Sequence, residues 1–233
     1  MSVVENLADV RVRTAAAEAR AGRQPGSVLL IAVSKTKPEA AIREAMVAGQ
    51  VHFGENYAQE LRDKLAVLTD PSLCWHFIGH LQKNKVKYVA GKVFEVHTVD
   101  SAEIASEIGR RAVALGGRQR ALLEVNVGGE EQKSGVEPEA VAGLARAVLA
   151  LPGIELVGLM TMPPLFDDPE RTRPFYRRLR ELRDAIRVEL ADPAALPELS
   201  MGLSHDFEVA IAEGATRVRV GTAIFGEREK TKD

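Results

Sequence analysis

Short runs of apolar residues, many of them β-branched, recur along the chain with segments of helix length between them. This alternation is typical of parallel strands that are joined by helical crossovers. The pattern predicts eight strands, at residues 28–33, 51–53, 75–79, 93–98, 121–127, 156–160, 199–202 and 217–220. It also predicts helices at residues 38–48, 101–115 and 138–149, and an extra helix over about residues 4–21 that precedes the first strand.

Eight strand–helix units in a chain of 233 residues approach the roughly 250 residues of a typical TIM barrel. The sequence therefore predicts an α/β fold with one domain over residues 1–233, a single (β/α)8 TIM barrel whose active site lies at the C-terminal ends of the strands. A doubly wound open sheet is the alternative architecture. No linker, repeat or shift in composition marks a second domain.

Residues 173–190 carry a helical pattern of their own. Apolar residues recur there at spacings of three or four, with arginines between them, at Phe175, Leu179, Leu182, Ile186 and Leu190. This spacing predicts a helix that packs its apolar stripe on the barrel, rather than one that binds a partner or a membrane. The preceding loop, residues 163–174, is rich in proline and acidic residues, and it is either a lid over the site or an ordinary solvated connection.

Composition narrows the class of protein. Hydrophobic residues make up 45% and charged residues 27%, as in ordinary globular proteins, and no apolar run approaches the ~20 residues of a membrane-spanning helix. A formal net charge of -2 argues against a dedicated nucleic-acid binder. The one cysteine, Cys74, is expected in the core, and the N-terminal segment lacks an apolar signal core, so we expect a cytoplasmic protein.

The first predicted strand ends in IAVSKTKP, which places Lys35 at the mouth of the barrel. A lysine that emerges from an apolar strand is partly desolvated, which lowers its pKa and frees the amine to form a Schiff base with a carbonyl. The alternative is a solvated charge at a strand end. Lys37 precedes Pro38 at the start of a helix, and we expect it to point to solvent.

Two turns near the end of the chain resemble an anion site. Residues 200–202, beginning with Ser200, close the seventh predicted strand, and Gly221 and Thr222 close the eighth just before a short helical segment. In TIM barrels a phosphate commonly binds to the loops after strands seven and eight, held by backbone N–H groups. We therefore expect these three residues to contact a phosphate.

The eighth strand reads RVRV, so its arginines and valines face opposite sides. If the valines pack outward, Arg219 faces the barrel interior near its top and needs a partner. We expect Arg217, deeper on the same face, to be solvated at the bottom of the barrel.

Other polar residues follow the second and third strands, including Glu55, Asn56 and His80. His76 and His80 fall across a strand end rather than along a helix, so no metal site stands out. A series of lysines is expected to form a solvated helix face, at Lys83, Lys85, Lys87 and Lys92.

Five motifs together resemble those of the YggS/PROSC-type pyridoxal phosphate homeostasis proteins. They are IAVSKTKP, HFGENYAQE, WHFIGHLQKNK, GLMTM at residues 158–162, and LSMGLSHDFEVAIAEGATRVRVGTAIFG. The resemblance implies the fold of the N-terminal barrel of alanine racemase and pyridoxal 5'-phosphate (PLP) bound as an internal aldimine. It implies the following cofactor contacts: the Schiff-base lysine at Lys35, the phosphate site at Ser200, Gly221 and Thr222, the pyridine nitrogen at Arg219, and polar pocket positions at Asn56 and His80.

The resemblance also implies a role in vitamin B6 and amino-acid homeostasis, in which the protein holds PLP and transfers it to PLP-dependent apoenzymes. A PLP-dependent amino-acid racemase is the alternative, but none of Tyr57, Tyr88 and Tyr176 is obviously placed as its second acid–base group. An always-charged Arg219 would also weaken the cofactor as an electron sink. A Schiff-base aldolase without cofactor is a further alternative, and we expect a monomer.

Overall fold

The computed structural model describes residues 2–130 and 134–227. Its parallel strands form a closed barrel in sequence order: β1 (Leu29–Val33), β2 (His52–Glu55), β3 (Cys74–Phe77), β4 (Glu95–Val99), β5 (Gln119–Glu124), β6 (Ile154–Met160), β7 (Glu198–Ser200) and β8 (Arg217–Val220). Pairing of β1 with β8, from Leu29 opposite Arg217 to Ala32 opposite Val220, closes the barrel. The predicted TIM barrel is confirmed, and the open-sheet alternative is wrong.

Helices cover the outside of the barrel. They are α1 (Val3–Arg20), α2 (Glu39–Val47), α3 (Ala58–Val67), α4 (Ala102–Ala114), α5 (Val141–Leu149), α6 (Arg173–Glu189), α7 (Phe207–Ala212) and α8 (Thr222–Phe225). Between β3 and β4 the connection is a 3-10 helix, Lys83–Tyr88, and further 3-10 turns span Pro138–Ala140 and Pro169–Thr172. No helix in the described part of the chain combines the length and apolar character needed to cross a membrane.

Local sequence explains where several helices begin. Ser2 caps α1, because its hydroxyl accepts the Glu5 N–H while the Glu5 carboxylate accepts the Ser2 N–H, a capping box. The predicted helix over residues 138–149 starts as a 3-10 turn at Pro138, which has no N–H to donate, and becomes α-helical at Val141.

Helix α6 confirms the predicted amphipathic segment. Leu179 and Ile186 are buried, and Leu182 packs against the core. The structure adds Tyr176 to the buried face, whereas Phe175 is half-buried and stacks on Phe166 of the preceding loop with ring centroids 5.8 Å apart.

Apolar side chains between strands and helices form the main core, but the barrel interior is polar. Buried charged and imidazole groups fill it from β3, β4 and β8, at His76, Glu95, His97, Arg217 and Arg219. Interiors of TIM barrels are more often filled by branched aliphatic residues. The axis of this barrel therefore depends on hydrogen bonds and ion pairs.

Our expectation that Arg217 is solvated is wrong. Its guanidinium is buried, with Nε 2.6 Å from Glu95 Oε2 and Nη2 2.8 Å from Glu95 Oε1, and it also pairs with Glu198. Arg120 Nη2 lies 2.9 Å from the same Glu95 carboxylate. We call Glu95, Glu198, Arg120 and Arg217 the lower cluster, because they lie toward the N-terminal ends of the strands.

Candidate functional site

A cavity of about 800 Å³ opens at the C-terminal ends of the strands. It brings together five of the residues predicted from the sequence: Lys35, Asn56, Arg219, Gly221 and Thr222. Ser200 and His80, which were predicted with them, do not line it. Glu124 and Ser204 line the cavity without having been predicted.

A buried ion pair supports the turn that carries Lys35. The Ser34 hydroxyl donates to Glu55 Oε1 at 2.6 Å, and the Lys64 ammonium donates to the Ser34 carbonyl and to the same Glu55 oxygen, both at 2.7 Å. Ser34 and Glu55 are fully buried. The backbone immediately before Lys35 is therefore fixed by charge-assisted hydrogen bonds.

The residue after Lys35 has a strained backbone. Thr36 has a φ of 62°, a left-handed conformation that is unfavourable for a β-branched residue. Its N–H donates to Glu60 Oε1 at 2.7 Å, and Glu60 also pairs with Lys64 at 2.7 Å. Such strain persists where the surroundings hold it, and it is concentrated at functional sites.

Lys37 does not point to solvent, contrary to our expectation. Its ammonium donates to the carbonyls of Phe225, Gly226 and Glu227 at 2.9, 3.1 and 2.9 Å. A cation suits this position because the last carbonyls of α8 lack helical partners. Lys37 thus ties the end of the described chain to the Lys35 turn.

Ser204 forms hydrogen bonds within a second wall of the cavity. Its Oγ accepts the Gly221 N–H at 3.1 Å and the Ala223 N–H at 3.2 Å. Gly221 also sits close to the first strand, since a Cβ there would lie 3.3 Å from both Cβ and O of Val33. Two backbone N–H groups and two hydroxyls, of Ser204 and Thr222, therefore cluster at one side of the cavity.

Ser200 lies beneath this wall, fully buried inside the barrel. Its Oγ is 2.6 Å from Arg219 Nη1 and 2.8 Å from His97 Nδ1. Ser200 therefore supports Arg219 instead of facing the cavity, and Ser204, four residues later in the LSMGLS motif, lies where we expected Ser200.

Arg219 is held by neutral groups. Nη1 donates to the carbonyl and hydroxyl of Ser200 at 3.0 and 2.6 Å, and Nη2 donates to the Thr161 carbonyl at 2.9 Å. Burial lowers the pKa of Arg219, while the electrostatic influence of Tyr176 and Glu124 raises it. No carboxylate among the described residues forms an ion pair with Arg219 at the distances seen for Arg217.

A chain of histidines continues from Ser200 toward the lower cluster. His97 Nε2 lies 2.9 Å from His76 Nδ1, and His76 Nε2 lies 3.0 Å from His52 Nδ1. Arg219 can only donate, so Ser200 accepts from it, and we assign the Ser200 proton to the hydrogen bond with His97 Nδ1. His97 and His76 must then each donate through Nε2, and burial lowers the pKa of both, which keeps them neutral.

Three of these buried side chains could present ligand atoms to a metal ion, because atoms of His76, Glu95 and His97 lie within 4.8 Å of one another. Arg217 already donates to both oxygens of the Glu95 carboxylate. A cation next to that guanidinium would be repelled, so we assign the group to the hydrogen-bonded interior.

The two polar residues after β2 and β3 differ in position. Asn56 lines the cavity, and its buried Oδ1 has no hydrogen-bond partner in residues 2–130 and 134–227. Its backbone is fixed by Gly79, where a Cβ would lie 2.0 Å from the Asn56 carbonyl oxygen. His80 is exposed outside the cavity, with Nδ1 3.3 Å from Ser134 Oγ and 3.6 Å from Asp100 Oδ2.

Glu124 ends β5 and points into the cavity with 8% of its surface exposed. Its Oε2 is buried and accepts no hydrogen bond from any residue that the structure describes. Burial raises the pKa of Glu124 to about 7, although the positive charge of Arg219 lowers it. The predicted strand ran on to residue 127, which concealed that Glu124 is the last residue of the strand.

The loop over residues 163–174 forms the rim of the cavity. Leu165, Phe166 and Asp167 line it, and Leu165 is 81% exposed. The Asp167 carbonyl oxygen lies 2.9 Å from His205 Nε2, which connects this rim to the loop after β7. None of the tyrosines considered for racemase chemistry, Tyr57, Tyr88 and Tyr176, lines the cavity.

Known proteins share both this sequence and this architecture. A family model described as the alanine racemase N-terminal domain matches residues 6–229. The chain is 50% identical over 229 residues to the pyridoxal phosphate homeostasis protein of Aquifex aeolicus, covering 98% of this chain and all of that protein. The chain belongs to the pyridoxal phosphate homeostasis protein family. The Escherichia coli K12 member is 41% identical over 237 residues, with 99% of this chain and 98% of that protein covered.

Solved structures agree with this family membership. PipY of Synechococcus elongatus, a COG0325 family member solved with PLP bound, has a TM-score of 0.83 and 37% identity, covering 97% of this chain and 100% of that chain. Alanine racemase from Corynebacterium glutamicum has a TM-score of 0.71 over 99% of this chain and 64% of its own, but at 18% identity it supports the fold alone. The resemblance to the family predicted from the motifs is confirmed.

Proposed function

We propose that this chain binds PLP in the cavity, holds it as a Schiff base on Lys35, and serves PLP and amino-acid homeostasis by releasing it to other proteins. The observation that carries the proposal is the meeting of Lys35, Arg219 and the Ser204 wall in one cavity. Membership of the family and the PLP complex of PipY support it.

The donor set fits an anionic cofactor. The phosphate would accept hydrogen bonds from the hydroxyls of Ser204 and Thr222, which lie on one wall. It would also replace Ser204 Oγ as the acceptor of the Gly221 and Ala223 N–H groups. Backbone N–H groups of this kind suit phosphate oxygens. Asn56, whose buried oxygen has no partner in the described residues, can accept a hydrogen bond from the ligand.

Arg219 suits a binding role better than a strongly catalytic one. We assign it to the pyridine nitrogen, where a guanidinium donates a hydrogen bond and disfavours a second positive charge on the ring. Its hydrogen-bond partners in the described residues are neutral, so none of them forms an ion pair that compensates its positive charge. An anionic ligand would supply that compensation.

The Lys35 amine would form the covalent bond. When bound, the cofactor supplies an aldehyde carbon, and the lysine amine joins it reversibly with loss of water. Lys35 is half-buried at an open cavity mouth, so another amine can reach the same carbon. Transfer to apoenzymes, a monomeric state and an organisation as one domain over residues 1–233 stay predictions.

The test is an absorbance spectrum of the protein reconstituted with PLP, before and after borohydride reduction, followed by peptide mapping. We expect a Schiff-base band that reduction removes and a stable adduct on Lys35. Lys35→Ala should lose the band and the adduct completely. Lys37→Ala is the matched control and should retain both, because its amine is bound to backbone carbonyls. An adduct on another lysine, or a full band in Lys35→Ala, would refute the assignment.

A further inference from the structure

Among its described residues, the cavity contains one buried carboxyl group, which has no role in the proposed binding of PLP. Three carboxyl side chains line the cavity, but Asp167 and Glu227 are exposed at the mouth, whereas Glu124 is buried at the end of β5. A buried polar atom without a hydrogen-bond partner costs free energy unless something else binds it. Glu124 Oε2 is such an atom.

We propose that Glu124 binds the primary ammonium group of an incoming amine and takes its proton, which makes the amine nucleophilic toward the cofactor held on Lys35. The inference rests on the proposed function and names the class of molecule that would displace Lys35. That class is a primary alkylammonium, from either the α-amino group of an amino acid or a lysine side chain of a receiving protein.

The charges around Glu124 suit this role. The positive charge of Arg219 on β8 lowers the pKa of Glu124, and the negative charge of Asp100 after β4 raises it. Lys35 lines the same cavity. His97 on β4 is hydrogen-bonded to Ser200 and is neutral. With burial outweighing Arg219, the pKa of Glu124 is about 7. A carboxyl group that is half ionised near neutral pH can both accept and return a proton.

The chemistry balances without a further reactant. An ammonium has no lone pair, so it cannot attack until an N–H bond breaks and the proton forms an O–H bond with the Glu124 carboxylate. The freed amine then forms a new carbon–nitrogen bond to the cofactor as the bond to Lys35 breaks. As the incoming nitrogen forms its double bond to the carbon, its two remaining N–H protons pass to the departing Lys35 nitrogen. The proton held by Glu124 follows, so one ammonium enters, one is produced, and nothing is oxidised or reduced.

The test compares two kinds of nucleophile on the PLP-loaded protein. Alanine and Nα-acetyl-lysine amide are ammonium ions at neutral pH, whereas methoxyamine is uncharged and needs no proton acceptor. In Glu124→Gln, which keeps the side-chain shape, we expect displacement by both ammonium probes to slow by about a hundredfold at pH 7. The rate with methoxyamine should change less than about twofold.

The pattern across the probes decides the outcome. If only one ammonium probe slows, the proposal holds and that probe identifies the source of the amine. Equal slowing of all three nucleophiles would show that Glu124 has only a structural effect, and unchanged rates would show that it takes no proton. Either result overturns the inference while leaving the proposed function intact.

A second readout uses the protein without cofactor. With ¹³C-labelled glutamate, the carboxyl resonance missing in Glu124→Gln identifies Glu124, and its titration should have a midpoint near pH 7. A midpoint near the ordinary value of about 4.3 would overturn the inference. If the wild-type protein forms no Schiff base at all, the proposed function fails and the inference fails with it, whatever the titration shows.

Discussion

Two arginines on the last strand of the barrel have opposite surroundings. Arg217 and Arg219 are two residues apart on β8, and both side chains are buried inside the barrel. Arg217 pairs with Glu95 and Glu198, which raise its pKa against the effect of burial. Among the described residues, Arg219 has only the Ser200 and Thr161 groups as hydrogen-bond partners, and burial lowers its pKa.

The difference separates a structural end of the barrel from a binding end. A buried charge is costly unless a partner compensates it. The lower cluster supplies such partners from the protein itself, so that end is complete without a ligand. At the upper end the partners of Arg219 are neutral, and an anion in the cavity would be the compensating group.

The same substitution at both positions tests this comparison most strongly. Arg217→Met leaves Glu95 and Glu198 without their main partner, and we expect a loss of about 3–5 kcal/mol in the free energy of unfolding. Arg219→Met strands no carboxylate partner, and we expect a loss below about 2 kcal/mol. Urea unfolding of the cofactor-free proteins measures both. A larger loss for Arg219→Met would contradict the assignment of the two ends.

Two carboxyl groups should give the two ends opposite pH dependence. Burial tends to raise the pKa of Glu95. The His97 imidazole, whose Nε2 lies 3.5 Å from Glu95 Oε2, and hydrogen bonds from Arg217 outweigh burial and hold that pKa well below the usual range. Its contribution to stability is therefore present above about pH 4.3 and is lost as pH falls. The pKa of Glu124 is raised to about 7, so its contribution is present below about pH 4.3 and is lost as pH rises through 7.

The variant Glu124→Gln isolates the contribution of Glu124 to the pH dependence of the free energy of unfolding. Between about pH 4 and pH 8, wild type should lose up to about 4 kcal/mol relative to this variant, since each pKa unit corresponds to about 1.4 kcal/mol. Urea unfolding of the cofactor-free proteins across this range provides the measurement. Parallel stability curves for the two proteins would show that Glu124 titrates normally.

The two serines near Arg219 should separate phosphate binding from support of the guanidinium. Ser204→Ala removes a hydroxyl from the proposed phosphate wall, and we expect about tenfold weaker binding of PLP with binding of pyridoxal unchanged. Ser200→Ala removes a hydrogen-bond partner of Arg219 and should weaken the binding of PLP and of pyridoxal to the same extent. Equilibrium titration of each variant with PLP and with pyridoxal measures this, and a phosphate-specific loss in Ser200→Ala would reverse the assignment.

The protonation state of the histidines between the two ends of the barrel should change least with pH. Because burial lowers the pKa of both, we expect His76 and His97 to be neutral, with the proton on Nε2, above about pH 6.5. Imidazole ¹⁵N chemical shifts report both the charge and the protonated nitrogen. A proton on Nδ1 of His97 would contradict the donor order that we assign from Ser200 to His97.

The barrel could be predicted because strand and helix patterns are local. Each predicted strand overlaps an observed one. The differences are shifts of a few residues at the strand ends, where hydrogen bonding to the neighbouring strand decides the boundary. Lys35 and the Gly221 turn were predicted for the same reason, since both lie directly at strand ends.

The errors concern contacts between distant parts of the chain. Arg217 was expected in solvent, but Glu95 lies 122 residues before it in sequence. The carbonyl that Lys37 meets at Phe225 is 188 residues further on. Ser204 and Glu124 were missed because nothing local distinguishes the serine or glutamate that faces a cavity from its neighbours.

The Lys37 contacts also set an order of events during synthesis. Lys35 and Lys37 leave the ribosome early, whereas Ser204, Arg219 and the N–H groups at residues 221–223 follow far later. The hydrogen bonds of Lys37 also require the carbonyls of Phe225 and Gly226. Because β1 pairs with β8, a nascent chain that lacks the final strand has the amine without its pocket. PLP would therefore bind at the proposed site only after all eight strands have been synthesised.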